Sequence, residues 1–107
     1  MRTVTREDLN ERLANDGLVL VEVLAPKYFR KHHLPGAINV PLDDHFDEQI
    51  QQAVPDKQST VVVYCADAEC QASFKAAQRM DELGYQHVLD YEAGKSNWQD
   101  AGLPVEK

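Results

Sequence analysis

Residues 60–65 read Thr-Val-Val-Val-Tyr-Cys and form the strongest β-strand signal in the chain. Their apolar and mostly β-branched composition is typical of a strand that is buried on both faces of a parallel sheet. From Ala72 to Leu83, Phe74, Ala77 and Met80 recur at helical spacing, so the sequence predicts a strand that leads through a loop into a helix. Backbone N–H groups and the positive end of a helix dipole stabilise a thiolate. Because Cys65 lies at this junction, the sequence predicts a reactive cysteine there.

Similar signals recur along the chain. An apolar run at 18–23 predicts a second strand, and residues 37–40 and 87–89 predict two shorter ones. Helical patterns begin at the N-cap Thr5 and end near Asp16 and Gly17, run from Leu42 to Val54, and return over residues 94–101. Residues 27–33 are predicted to be a loop or a short helix. Strands that alternate with helices pair in parallel, so the predicted fold class is α/β, with three α/β/α layers around a central parallel sheet, and residues 1–107 are expected to form one domain.

Charge and hydropathy exclude several classes of partner. The chain has 107 residues, with 11 basic and 18 acidic side chains and a net charge of −7. No basic cluster lacks nearby acids, so nucleic acid and anionic membranes are not expected as partners. No apolar stretch approaches the roughly 20 residues that span a bilayer, and the first residues lack the apolar segment of a secretory signal. The expected location is therefore cytoplasmic.

Histidine and cysteine spacing argues against a metal site. Two cysteines are too few for a disulfide-stapled secreted scaffold, and no pair of metal-binding residues has the close spacing of a zinc finger or ribbon. We therefore expect no metal. The four histidines are His32, His33, His45 and His87.

Five segments, taken in order, resemble the single-domain rhodaneses. They are Val-Glu-Val at 21–23, His-Leu-Pro-Gly-Ala-Ile-Asn-Val-Pro at 33–41, Val-Val-Val-Tyr-Cys at 61–65, Leu-Gly-Tyr at 83–85, and the C-terminal set Gly94, Trp98 and 101–106. The resemblance extends from about Asp8 to Glu106. It implies a parallel sheet of about five strands between helices, and sulfur transfer through a persulfide on Cys65 without a cofactor.

The implied reaction has two steps. The Cys65 thiolate attacks the outer sulfur of a donor such as thiosulfate, and an acceptor such as cyanide, a thiol or a protein cysteine then removes that sulfur. Both steps place negative charge on sulfur, which inward-pointing N–H groups of a curled loop can stabilise. The small sulfur donor or a persulfidated protein is thus the expected partner.

The loop after Cys65 departs from the family pattern. It is about two residues longer than the usual loop and lacks the family's arginine. Asp67 and Glu69 place negative charge where an anionic donor would approach, so we expect a protein or low-molecular-weight persulfide as donor in preference to thiosulfate. Gln71 stands where related phosphatases on this fold need arginine, which disfavours phosphate chemistry. The candidate active-site loop comprises Ala66, Asp67, Ala68, Glu69, Cys70, Gln71, Ala72 and Ser73.

Cys70 leaves two interpretations open. It is either a resolving thiol that attacks a persulfide or sulfenic acid on Cys65, or a small buried apolar residue in the first turn of the following helix. The first interpretation requires Cα atoms within roughly 7 Å of each other.

Three functions follow from these features. The leading one is a rhodanese-like sulfurtransferase that uses Cys65. The alternatives are a non-catalytic rhodanese-fold module that binds a protein partner through the acidic loop, and a thiol redox protein that uses Cys65 and Cys70. Tyr64 and Trp98 are interpreted as core residues, and Lys75 and Lys95 as solvated surface charges.

Overall fold

A computed structural model describes residues 2–15 and 17–107, so the predicted helix end at Asp16 and the start of the predicted domain at Met1 lie outside the described residues. Five strands alternate with five helices in the described part of the chain. In chain order they are β1 (Arg2–Thr3), α1 (Arg6–Asn15), β2 (Leu18–Glu22), α2 (Pro26–Lys31), β3 (Ile38–Asn39), α3 (Phe46–Ala53), β4 (Thr60–Tyr64), α4 (Ala72–Glu82), β5 (His87–Tyr91) and α5 (Gly94–Asp100).

The strands form one parallel sheet with the order β1-β5-β4-β2-β3. The predicted parallel α/β architecture is therefore confirmed. β4 lies at the centre, where Val63 pairs with Val21 of β2 on one side and with Asp90 of β5 on the other. A central strand has its backbone groups paired on both edges, so the residues that follow it start from a rigid support.

The two faces of the sheet are covered by different helices. Val61 and Val63 belong to a buried cluster that includes side chains of α3 and α4, and Cys65 continues this cluster. Val62 and Tyr64 belong to the opposite cluster, with Leu9 of α1, Leu20 of β2 and Trp98 of α5. Successive side chains of a strand alternate between faces, so Cys65 lies on the side of the sheet that α4 covers.

Several predicted boundaries differ from the structure. α3 begins at Phe46 instead of Leu42, because residues 43–46 form a turn in which the Asp43 carboxylate accepts the His45 N–H at 2.8 Å. β1 was not predicted, since two residues carry too little pattern. Phe74 is 43% exposed, although it belongs to the apolar pattern of its helix, because Ala76 and Ala77 fill the inner face of α4.

The helices in the described ranges are too short and too polar to cross a membrane.

Candidate active site

Cys65 directly follows the central strand and is 1% exposed. Its sulfur forms a disulfide with Cys70, and the two Cα atoms are 6.4 Å apart. Cys70 is half-buried and packs against the cluster that contains Cys65, but it lies two residues before α4 and therefore outside the first helical turn. The structure thus brings the two cysteines of the candidate loop together.

The loop is curled by its own carboxylate. Asp67 Oδ1 accepts the N–H of Glu69 at 3.0 Å and that of Cys70 at 3.1 Å, and the Asp67 carbonyl also accepts the Cys70 N–H at 3.1 Å. Asp side chains commonly bind backbone N–H groups in this way at turns. Because Asp67 occupies them, these two N–H groups are not presented to an anion at Cys65 in this conformation.

The loop is also held by α5, the helix that follows the neighbouring strand β5. Two residues of α5 donate to the backbone at the end of β4: Lys95 N–H to the Cys65 carbonyl at 2.9 Å, and Ser96 N–H to the Ala66 carbonyl at 2.8 Å. These bonds tie the start of the candidate loop to the start of α5. The backbone of Cys65 is therefore held on both sides, by β4 and by α5.

A buried serine lies beside the sulfur, and a buried aspartate lies beside that serine. Ser73 Oγ is 3.6 Å from Cys65 Sγ, and Ser73 and Asp90 are each 1% exposed. Burial raises the pKa of Asp90, as does the charge of Glu92, while the neighbouring Ser73 hydroxyl lowers it in part. Neither carboxylate oxygen of Asp90 has a hydrogen bond of normal geometry to another described residue. Sequence reasoning missed Asp90, although an acid inside the apolar run of β5 was the available signal.

A second buried network lies on the other face of the sheet. Lys95 is 5% exposed, and its Nζ donates to Glu22 Oε2 at 3.0 Å and to the carbonyls of Tyr28 and His32 at 3.2 and 2.8 Å. The Tyr64 hydroxyl donates to Glu22 Oε1 at 2.9 Å. Burial, together with the charge of Glu22, raises the pKa of Tyr64.

This network corrects the prediction that Lys95 is a solvated surface charge. An ammonium group can be buried there because a carboxylate and two carbonyls satisfy it. Its charge is thereby committed to Glu22 and is not free to replace the missing arginine of the loop. Lys75 is exposed, as predicted, and Tyr64 and Trp98 are buried, as predicted.

The surface around the loop is acidic. A shallow depression on the outer side of the loop is lined in part by the carboxylates of Asp67, Glu69 and Asp100. A larger cavity lies between α3 and α4, and none of the described residues that line it belongs to the candidate loop. Within the described ranges, no three His, Cys, Asp or Glu side chains form a group that could hold a metal ion.

Comparisons with known proteins identify the family of the chain. Residues 5–101 match the family model of the rhodanese-like domain. The chain is 41% identical over 68 residues to the thiosulfate sulfurtransferase PspE of Escherichia coli. The aligned region covers 64% of the chain and 62% of PspE. The chain is 30% identical over 105 residues to the uncharacterized protein slr1261 of Synechocystis, covering 98% of the chain and 56% of that protein. The chain thus spans a little over half of the length of these relatives.

A solved structure has the same fold over the whole chain. The crystal structure of a thiosulfate sulfurtransferase from Pseudomonas aeruginosa superposes with a TM-score of 0.86 at 29% identity, covering 100% of the chain and 20% of that protein.

Proposed function

The chain belongs to the rhodanese-like domain family, and from this premise we propose that it is a sulfurtransferase that carries sulfane sulfur as a persulfide on Cys65. One observation carries the proposal: Cys65 follows the central strand of the parallel sheet, shortly before α4. Ligands of open α/β sheets bind beyond the carboxyl ends of the strands, where Cys65 lies.

In the proposed reaction, the protein first needs the reduced form of Cys65. The thiolate attacks the outer sulfur of a donor, the rest of the donor leaves, and Cys65 carries one additional sulfur atom. A thiol or a cyanide-type acceptor then takes this sulfur. No described residue other than Cys65 has to form a covalent bond in this cycle.

The loop favours a donor that is not a small dianion. Asp67 and Glu69 are exposed acids beside the site, and Asp67 occupies two N–H groups that could otherwise bind an oxyanion. Like charges within a few ångströms oppose one another. A persulfide on a protein or on a low-molecular-weight thiol is therefore the donor that we propose, in preference to thiosulfate.

Intact-protein mass spectrometry tests this function. The protein is reduced, freed of reductant without air, and mixed with a low-molecular-weight persulfide or with thiosulfate, and the trapped adduct is mapped. Cyanide supplied as acceptor should yield thiocyanate. We expect an adduct of one sulfur atom on Cys65 in Cys70→Ser, and none in Cys65→Ser. Absence of both adduct and thiocyanate with every donor, in the wild type and in Cys70→Ser, would contradict a sulfurtransferase.

A non-catalytic binding module is the second candidate. It is favoured by the buried position of Cys65 and by the carboxylate of Asp67 across the loop, both of which restrict access of a donor. In that case the acidic surface of the loop would bind a protein partner. Chromatography over immobilised protein would then retain a partner from extract equally with wild type and with Cys65→Ser.

The cytoplasmic location stays a prediction, which fractionation of cells that express the protein tests.

A further inference from the structure

We propose that Cys70 resolves the Cys65 persulfide, so that the protein releases the transferred sulfur as hydrogen sulfide and passes into the Cys65–Cys70 disulfide. A dithiol reductant then restores both thiols. This inference rests on the proposed function, because it requires a persulfide on Cys65. In this reaction the transferred sulfur is reduced to sulfide, and the electrons come finally from a dithiol.

The geometry of the loop carries the proposal. The two sulfur atoms are bonded to each other, and the Cα separation of 6.4 Å lies within the usual range for disulfides. The residues are five positions apart in one loop, so no rearrangement of the sheet or of α4 is needed to join them. Cys70 can therefore reach the sulfur of Cys65 from within the same loop.

Asp67 holds Cys70 in this position. The Cys70 N–H is shared between the carboxylate and the carbonyl of Asp67, each at 3.1 Å. The bond from the Glu69 N–H closes the same turn at 3.0 Å. The loop feature that blocks an oxyanion thus directs a second thiol toward Cys65.

Exposure determines which sulfur each reactant can approach. Cys65 is 1% exposed, whereas Cys70 is half-buried. A bulky thiol acceptor would reach a persulfide on Cys65 less easily than Cys70 does, since Cys70 reacts within the molecule and gains the advantage of high effective concentration. In the disulfide, the more accessible Cys70 sulfur is the one that a dithiol attacks.

The steps balance in atoms and electrons. Cys65 thiolate attacks the outer sulfur of a persulfide donor, RS–SH, which gives Cys65–S–SH and releases RS⁻. Cys70 thiolate attacks the inner sulfur, Sγ of Cys65, and the bond to the outer sulfur breaks, which gives the disulfide and HS⁻. A dithiol attacks Cys70 and displaces the Cys65 thiolate, and its second thiol then attacks the resulting mixed disulfide, displaces the Cys70 thiolate and leaves as a disulfide. Overall, the sulfane sulfur gains two electrons and the dithiol loses them.

Sulfide release from one turnover tests the inference. The protein is reduced, freed of reductant and treated without air with one equivalent of a low-molecular-weight persulfide, so that oxygen cannot form the disulfide. We expect the wild type to release about one equivalent of sulfide per protein and to lose the mass of two hydrogen atoms. Cys70→Ser should instead retain one additional sulfur on Cys65, and should release sulfide only after dithiothreitol is added. Ala101→Ser, which introduces a serine at an exposed position beyond α5, should behave like the wild type.

The outcomes separate the two proposals. If the wild type keeps the added sulfur on Cys65 while Cys70 stays free, the resolving role is wrong and sulfur transfer stands. If neither wild type nor Cys70→Ser gains sulfur, and no sulfide appears, the proposed function itself fails. If Cys70→Ser releases sulfide as fast as the wild type without added reductant, the resolving role is also wrong. Circular dichroism of each variant verifies that it is folded.

Discussion

Gly94 lies so close to Asp67 that a Cβ atom on Gly94 would be 2.6 Å from the Asp67 backbone nitrogen. Gly94 also has a φ of +79°, which side chains other than glycine rarely adopt. The start of α5 therefore approaches the candidate loop backbone to backbone, and this contact supports the position of Cys65 from the side of β5.

We expect Gly94→Ala to lower the free energy of unfolding by at least about 3 kcal/mol, because a positive-φ penalty and a backbone clash add together. Gly102→Ala is the matched control, since Gly102 has a φ of +77° but open space around it. Its cost should be only about 1–2 kcal/mol. Urea unfolding measures the stability of both variants. Equal losses would show that the clash with Asp67 adds nothing to the cost of Gly94→Ala.

Because Lys95 and Glu22 form a buried pair, we expect removal of Lys95 alone to cost more stability than removal of both side chains. Lys95→Met leaves the Glu22 carboxylate buried without its cation, so we expect a loss of about 3–5 kcal/mol in stability. Adding Glu22→Leu should recover part of this loss, because the stranded charge is removed. Lys75→Met at an exposed position should change stability by no more than about 0.5 kcal/mol.

Urea unfolding again supplies the measurement for this pair. A double variant that is less stable than Lys95→Met by the full cost of Glu22→Leu would mean that the two side chains are not coupled, contrary to their 3.0 Å contact.

Asp90 predicts a stability that depends on pH. Because burial raises the pKa of Asp90 in the folded protein, the folded state binds this proton more tightly than the unfolded chain does. The resulting stabilisation is fully present below the unfolded pKa of about 4, and is lost as the pH rises through the folded pKa. Asp90→Asn has no proton to lose, so its stability relative to wild type should increase from acidic to neutral pH.

Unfolding in urea at a series of pH values tests this expectation. Asp100→Asn, at the exposed end of α5, makes the same chemical change on the surface. A difference between Asp90→Asn and wild type that stays constant with pH, or that decreases toward neutral pH, would contradict the burial of an ionisable carboxyl at this position.

Asp67 predicts which donor the reduced protein accepts. Asp67→Asn keeps an oxygen that can accept the Glu69 and Cys70 N–H groups but removes the charge. We expect persulfide formation from thiosulfate to become about fivefold faster, which corresponds to about 1 kcal/mol of relieved repulsion at close range in water. Timed mass spectrometry of the Cys65 adduct measures the rate, with Cys70→Ser present in every protein compared so that the adduct persists. Glu11→Gln removes one negative charge on α1, which lines the same depression as Thr60 at the opposite end of β4 from Cys65, and should leave the rate unchanged.

The outcome separates charge from loop geometry. A rate for Asp67→Asn equal to that of Glu11→Gln would mean that charge at the loop does not select the donor. In Asp67→Ala the two N–H groups also become free, so a further increase would assign part of the effect to oxyanion binding.

The sequence was sufficient for the main architecture because burial leaves a local pattern. β4 lies between two strands and two layers of helices, so both of its faces had to be apolar, and residues 60–64 show this directly. The position of Cys65 then follows from where this run ends. The start of α3 was less accurate, since the turn bond of Asp43 competes with the helical pattern that begins at Leu42.

The site was predicted less completely than the fold. The loop composition indicated its length, its acidity and the absence of arginine, but the turn closed by Asp67 was not foreseen, although an aspartate at the start of a loop is a local signal for it. Asp90 was missed because the predicted strand at 87–89 ended one residue before it, whereas β5 continues to Tyr91 and buries this acid.

The sequence alone determined the parallel sheet and the placement of a cysteine at the end of its central strand, since both depend on periodicity and on the order of elements. Only the tertiary structure decided which polar groups meet. Lys95 and Glu22 are separated by 73 positions in the chain, yet they form a buried ion pair that no local pattern encodes. Cys65 and Cys70 are close in sequence, but their contact depends on how the loop curls around Asp67 and rests against Gly94, because side-chain direction in a loop is set by its bonds and neighbours.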